Sequence, residues 1–442
     1  MLPELHTPVP GPRSLAAAEK LRRYESRNIT YLDAEFPVFW QRAEGVNVWD
    51  VDGNRFLDWT SAFGVAGLGH TAPAVREALV AQAGALLHGM GDVHPTPLKA
   101  DLCERLSALT FERWGAGSGK TILGNSGFEA VEAALKTALL YSGKPGVLAF
   151  RGAYHGLGYG ALEVAGTPFF REPFRPQLKE FATLLPYPSG PSSAGTGDFP
   201  EAAAGWEDRL EAEIDAALRA HPIGAILVEP IQGRGGEIVP PRGFLPLLRR
   251  VCDERGLLLV ADEIYTGFNR TGALFACEHS GVVPDVICLG KGLTSGFPLS
   301  ACVGRAEVMD AWPLSAGEAL HTSTFLGNPL GCAMALASLK AHADPALAAR
   351  VRERGERLKA ALRTLPSAHV TDVRGTGLLV AAEFDLDGEA VNGLVKQALR
   401  DGLIFLQSGP AGNVLAFTPP FAIADEEIAF TVERLRKSLG GI

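Results

Sequence analysis

Four short apolar runs punctuate the middle of the chain: VLAF at 147 to 150, AILVEP at 225 to 230, LLLVADE at 257 to 263 and VICLG at 286 to 290. Each is followed by a turn and then by a helical pattern, and none alternates polar with apolar residues. That is the signature of strands buried on both faces in a parallel sheet covered by helices. Helical periodicity lies between them, in EAVEAALKTALLYSG (129 to 143) and FLPLLRRVCDERG (244 to 256), each closing on a glycine suited to a C-cap. The pattern predicts an α/β layered domain. The flanks read differently. NVWDVDGNRFLDWT at 47 to 60 predicts a hairpin around Asp52-Gly53, and the C-terminal region alternates helices with short strands. We expect a large domain over 64–328 and a smaller α+β domain assembled from 1–63 and 329–442, with the two ends of the chain meeting in space.

Composition narrows the function. The chain has 442 residues, 47% hydrophobic and 21% charged, which excludes disorder and allows a large core. A net charge of −9 provides no basic surplus for nucleic acid or an anionic membrane. The six cysteines show no CxxC pair and no His cluster, so neither zinc nor a disulfide framework is expected. The N-terminal MLPELHTPVPGPRS interrupts any secretory apolar core, and no run reaches the ~18 apolar residues of a membrane helix. A cytoplasmic protein is the expectation. The biased tract PYPSGPSSAGTGDFP at 186 to 200 reads as a surface loop.

Three reactive side chains, Glu229, Asp262 and Lys291, fall at the carboxyl ends of predicted strands, where open α/β sheets place their ligands. Singly, each has a plain structural reading, as a turn lysine or a helix-capping acid. Asp262 directly follows LLLVA, where an ion without a partner costs several kcal/mol, and a cationic ligand such as a protonated pyridine would compensate. Ser126, with Glu129 three residues on, forms a capping-box pattern after the strand TILG. It is either a well-made helix start or one that also holds a phosphate, with Gly127 letting the backbone approach the anion. GAGSGKT at 115 to 121 is not a nucleotide-binding P-loop, because the required first glycine is Trp114.

Taken in order, AEGVNVWDVDGNRFLDW (43 to 59), GLGHTAPAV (67 to 75), NSGFEA (125 to 130), AYHG (153 to 156), VEPIQGRGG (228 to 236), ADEIYTGFNRTG (261 to 272), LGKGLTSGFPLSACVG (289 to 304) and TSTFLGNPLGCA (322 to 333) resemble the class III (ω-type) aminotransferases. The resemblance runs over most of the chain. It implies fold type I of the pyridoxal-phosphate-dependent transferases, a large, mostly parallel mixed-sheet domain beside a smaller α+β domain. It implies pyridoxal 5′-phosphate held by Lys291 as a Schiff base, with Asp262 on the pyridine nitrogen and Tyr154 and Ile264 on the two ring faces. Ser126, Gly127 and Phe128 match the phosphate cup, Gln232 a place near the ring hydroxyl, and Glu229 a residue that steadies this network. Thr324 matches a threonine that reaches the phosphate of a neighbouring subunit, which implies a homodimer with shared active sites. The small-molecule partners would be an amino donor and a keto acceptor.

Two positions depart from the family pattern. Many members carry an arginine that clasps the acceptor carboxylate where this chain has Ala416, and a glutamate after EPxQG where this chain has Arg234. Arg234 is either a transplanted carboxylate receptor or a residue facing solvent or a structural acid. Phe63 matches a pocket-lining position, with core packing as the equal alternative, and the loop GMGDVH (89 to 94) is expected nearby. An amino-acid racemase, epimerase or aminomutase would share the cofactor frame and the first proton abstraction. A regulatory protein with a dead cofactor fold is disfavoured, because Lys291 and Asp262 are both present.

Overall fold

The four apolar runs become adjacent parallel strands. In the computed structural model, which describes residues 1–189, 204–366 and 368–440, a seven-stranded sheet has the spatial order Gly119–Gly124, Ser300–Arg305, Val286–Leu289, Leu258–Asp262, Ile223–Val228, Gly146–Phe150 and Ala182–Leu185. Ser300–Arg305 runs antiparallel to both its neighbours, and every other pairing is parallel. The sheet is therefore mixed but mostly parallel.

Unbroken apolar strands follow from burial on both faces. Leu148, Phe150, Ile226, Val228, Leu259, Ile287 and Leu289 point into one cluster, with Leu210, Ile214, Leu248 and Val251 from the helices Trp206–Ala220 and Phe244–Arg255. The alternate residues Val147, Ala149, Ala225, Leu227, Leu258, Val260 and Cys288 point into another. That face is covered by Gly127–Ser142 through Ala130, Ala133, Ala134 and Ala138, whose small side chains let the helix lie close to the sheet. Both helices predicted to close on glycine do so, with Gly143 and Gly256 in the left-handed region.

The hairpin at 47 to 60 forms as Asn47–Asp50 paired with Arg55–Asp58. Its second strand pairs in parallel with Leu403–Ile404, far along the chain. A separate antiparallel sheet has the order Val370–Thr376, Leu379–Phe384, Val414–Phe417, Leu406–Ser408. Val46, Leu57 and Trp59 share a hydrophobic cluster with Leu347, Val380, Phe417 and Leu435, and the Trp59 indole donates to Thr431 at 3.0 Å. The helix Pro329–His342 behaves differently: its Cys332, Ala335 and Leu339 belong to the cluster against the large sheet.

Residues 190–200 of the biased tract lie outside the described residues; within its described part the Tyr187 hydroxyl donates to the Glu229 carbonyl at 3.1 Å. Among the described residues no helix is long and apolar enough to cross a membrane, and no group of three or more His, Cys, Asp or Glu could hold a metal.

Candidate active site

The carboxyl ends of three neighbouring strands bring Glu229, Asp262 and Lys291 together. Asp262 ends Leu258–Asp262 and is 4% exposed. One carboxylate oxygen accepts from the Ile264 backbone N–H at 3.0 Å, and the other lies 2.7 Å from Nδ1 of His155, itself 2% exposed. Burial alone would lower the histidine pKa, but the hydrogen bond and charge of Asp262 outweigh it, and the imidazole is held above its ordinary value. His155 Nε2 is buried without a hydrogen-bond partner.

Lys291 lies just past Val286–Leu289 and opens a short helical turn with φ of +40°, a left-handed conformation disfavoured for a residue with a Cβ. Its ammonium is 4.6 Å from the ring centroid of Tyr265. Withdrawal from water depresses its pKa, and the charges of Asp262 and Glu229 offset this only in part. The shift favours the neutral amine, the form that acts as nucleophile and proton acceptor. Glu229 accepts from the backbone N–H groups of Tyr154 at 3.1 Å and Gly233 at 3.2 Å, and burial pushes its pKa up to about 7. Gln232, on the same turn, donates to the Arg151 carbonyl at 2.8 Å.

The helix Gly127–Ser142 begins beside this cluster. The Glu129 carboxylate accepts from the backbone N–H groups of Asn125 and Ser126, closing its side of the capping box. The Ser126 hydroxyl, by contrast, is buried with no hydrogen-bond partner. Ile264 packs on the helix start: a Cβ at Gly127 would stand 3.1 Å from its Cδ1. Gly290, just before Lys291, meets the same side chain. Ile264 thus connects the helix start, Asp262 and the lysine turn. Phe128 is partly exposed and lies against Gly156 and Gly158.

The Tyr154 ring is 5.3 Å from Phe170, whose ring lies 6.0 Å from the Arg234 guanidinium. Arg234 is exposed and donates to the Gln407 carbonyl at 3.1 Å, so it has no carboxylate partner among the described hydrogen bonds and ion pairs. Ala416 is buried in its strand, paired with Ala381 and Leu406. Phe63 is 63% exposed, so the core-packing alternative for it fails. Thr324 is exposed, and neighbouring Ser323 accepts from the Asn125 side chain at 3.3 Å. The loop 89 to 94 packs on that same segment rather than on Lys291, with Thr322 donating to Asp92 at 2.7 Å.

Sequence reasoning passed over His155, although it sits in the AYHG block beside Tyr154, and Tyr265, in ADEIYTG. It also passed over Glu237, whose carboxyl is 2% exposed, has one unpartnered oxygen, and is pushed up to about 8 by burial. No periodicity or spacing marks a buried acid after a run of glycines.

The chemistry of the donor set is specific. An unpartnered hydroxyl at the start of a long helix suits a phosphate. A buried carboxylate paired with a histidine suits a basic ring nitrogen, and a lysine of depressed pKa suits an aldehyde. These residues fit pyridoxal phosphate.

The comparisons agree. The family described as aminotransferase class-III matches residues 31–439. A 4-aminobutyrate aminotransferase of Mycobacterium leprae is 36% identical, covering 99% of this chain and 98% of its own. A 5-aminovalerate aminotransferase of Pseudomonas aeruginosa is 37% identical, covering 89% and 91%. An amine transaminase from an uncultivated Pseudomonas species, crystallised in its pyridoxal-phosphate-bound form, superposes with a TM-score of 0.84 at 30% identity, covering 95% and 98%. These relatives give no support to the racemase or epimerase alternative. The chain belongs to the class III aminotransferases and is a pyridoxal-phosphate-dependent transaminase.

Proposed function

We propose that Lys291 is the covalent anchor of the cofactor and the group that moves the substrate proton, and that the preferred donor is an amine carrying a distal carboxylate. One observation carries the first part: the Lys291 ammonium shares a buried cluster with Glu229 and the Asp262–His155 pair, where withdrawal from water lowers its pKa against the opposing charges of the two acids. The names of two relatives, for 4-aminobutyrate and 5-aminovalerate, support the second.

Pyridoxal phosphate, when bound, supplies an electron sink that acidifies the hydrogen on the substrate carbon bearing the amine. Lys291 Nζ would take that proton and return it one position away, the step that distinguishes transamination from racemisation. Asp262 would hold a proton on the ring nitrogen, with His155 keeping Asp262 in place. Ser126, Gly127 and Phe128 would bind the phosphate, Tyr154 and Ile264 would flank the ring, and Glu229 and Gln232 would steady its polar edge.

Arg234 is the proposed receptor for the distal carboxylate, standing in for the arginine absent at Ala416. Its support is the exposed guanidinium beside Phe170 and Tyr154, which makes no direct ion pair among the described residues, with the buried carboxyl of Glu237 near enough to feel its charge. Arg234→Ala is expected to raise the apparent KM for 4-aminobutyrate and for carboxylate acceptors by about tenfold or more, and to leave the KM for butylamine unchanged. Equal KM values for the variant and the parent on all substrates would sink this assignment.

The working enzyme is proposed to be a homodimer in which Thr324 of a second copy completes the phosphate site. Leu86, Leu87, Met90 and Val93 are exposed, as are Leu314, Leu320 and Phe325. The two segments form one surface, joined by the His88–Phe325 ring contact at 5.2 Å and by Asn328 donating to the Leu87 carbonyl at 3.3 Å. Isolated chains rarely leave so many large apolar groups in water. Leu87→Glu should shift the protein from dimer to monomer in sedimentation equilibrium, with activity falling about tenfold or more; a stable dimer with this change contradicts the interface.

For domain organisation we propose that 1–63 joins the C-terminal region as a small unit, on the strength of the cluster shared by Leu57, Trp59 and Phe417. Its C-terminal part starts after His342 rather than at 329, since Pro329–His342 packs on the helix Pro97–Leu109 within the large domain's cluster. A cytoplasmic location is proposed on the six free cysteines, which suit a reducing compartment.

A further inference from the structure

Ser61, Ala62, Phe63 and Gly64 all have positive φ, at 47°, 50°, 63° and 78°. The first three carry a Cβ, for which a run of left-handed conformations is disfavoured and persists only where the surroundings over-determine it. Here they do. Asp58, fully buried, accepts from the Thr60 N–H at 2.8 Å, the Thr60 hydroxyl at 2.6 Å and the Ala62 N–H at 3.1 Å. His70 Nε2 lies 2.7 Å from its outer oxygen. The Ser61 hydroxyl donates to the Thr418 carbonyl at 2.7 Å and accepts from the buried Arg270 guanidinium at 3.3 Å. Arg270 in turn donates to the carbonyls of Leu378 and Pro419.

This clamped segment abuts the catalytic lysine. A Cβ added at Gly64 would stand 2.7 Å from the Tyr265 ring and 3.8 Å from Lys291 Cδ. The Tyr265 hydroxyl returns to Thr418 at 3.3 Å, and the Thr418 hydroxyl donates to the Thr60 carbonyl at 3.1 Å, closing a ring of bonds around the segment. The outcome of this arrangement is that Phe63, next to Gly64 in the clamped segment, presents a large apolar side chain to solvent at 63% exposure.

We propose that Asp58, oriented by His70, is a positioning residue for substrate selection: it holds Ser61–Phe63 in the left-handed turn and so fixes Phe63 against the donor. The inference rests on Phe63 lining the substrate pocket, as the family resemblance implies. It assigns Asp58 no contact with substrate or cofactor.

The test is a double-mutant cycle on the holoenzyme, using whichever of 4-aminobutyrate, 5-aminovalerate and butylamine gives the highest kcat/KM. Phe63→Ala and Asp58→Ala are each expected to raise donor KM about tenfold, with kcat within about threefold of the parent and the cofactor absorbance intact. The double variant should be no worse than the more impaired single, because both act through one side chain. Asp58→Asn, which keeps one acceptor oxygen, should recover part of the loss. A purely structural Asp58 would lower the melting temperature and the active fraction while leaving KM alone, and that result overturns the proposal, as do effects that multiply. Should Asp58→Ala fail to fold, Ser61→Ala replaces it in the same cycle with the same criteria. A Phe63→Ala variant with parental KM overturns the pocket reading itself, whereas a normal Phe63 response with an unresponsive Asp58 overturns only the inference.

Discussion

Lys291→Ala is expected to lose transaminase activity by about 10⁴-fold or more, together with the visible absorbance of the bound cofactor. The variant removes the covalent anchor and the proton carrier at one stroke, and no neighbour replaces either. Tyr265, whose ring Nζ faces, is a buried phenol held far from ionisation, and Glu229 is tied to the N–H groups of Tyr154 and Gly233. The change should spare the fold: it leaves a small void between Tyr265 and the segment at Gly64, and the unfolding curve should move by only about 1 kcal/mol. A small primary amine added to the solution should diffuse into that void and restore part of the rate. Single-turnover kinetics with and without the amine, alongside the absorbance spectrum, make the measurement. Activity within tenfold of the parent would remove Lys291 from the mechanism.

Asp262→Asn is expected to lower kcat by about 10²-fold or more, and to cost about 2 kcal/mol of stability. The carboxylate serves two donors, the Ile264 N–H and His155 Nδ1, one on each oxygen. An amide has a single acceptor oxygen, so one of these contacts is lost, and His155 is left buried with only the charge of Glu229 favouring its protonation. The stability loss carries a sign with pH. In the parent, the histidine pKa is raised above 6.5, so its contribution is fully present below 6.5 and disappears as pH rises through the raised value. In the variant the hydrogen bond and charge of Asp262 no longer offset burial, so protonation becomes less favourable. The gap between the two proteins should be widest on the acid side of 6.5 and should narrow in alkali. Urea unfolding of the cofactor-free proteins at about pH 6 and about pH 8.5 tests it; a gap that widens with pH contradicts the pairing.

Much of the site was legible in residue order because its carriers sit at points that local rules mark. A strand that is apolar throughout must end where the chain leaves the sheet, and Asp262 and Lys291 occupy those ends. Ser126 and Glu129 mark a helix start by spacing alone. His155 was not legible in this way. It lies 107 residues from Asp262 in sequence, and nothing in AYHG says which strand end its ring will face. Phe63 gave a divided reading for a similar reason: an aromatic residue among small apolar ones looks like core until its left-handed backbone turns it outward.

Side-chain alternation, caps and turns are properties of neighbouring residues, so the sequence by itself determined the strands, the helices and the family resemblance. What only the tertiary structure decided are quantities that depend on distance through space. These are the pairing of Asp262 with His155, the depressed pKa of Lys291 over Tyr265, the unpartnered hydroxyl of Ser126, and the Asp58 clamp on Phe63. Desolvation and Coulomb interactions act across the gaps between elements, and those gaps exist only once the sheet and its helices have packed.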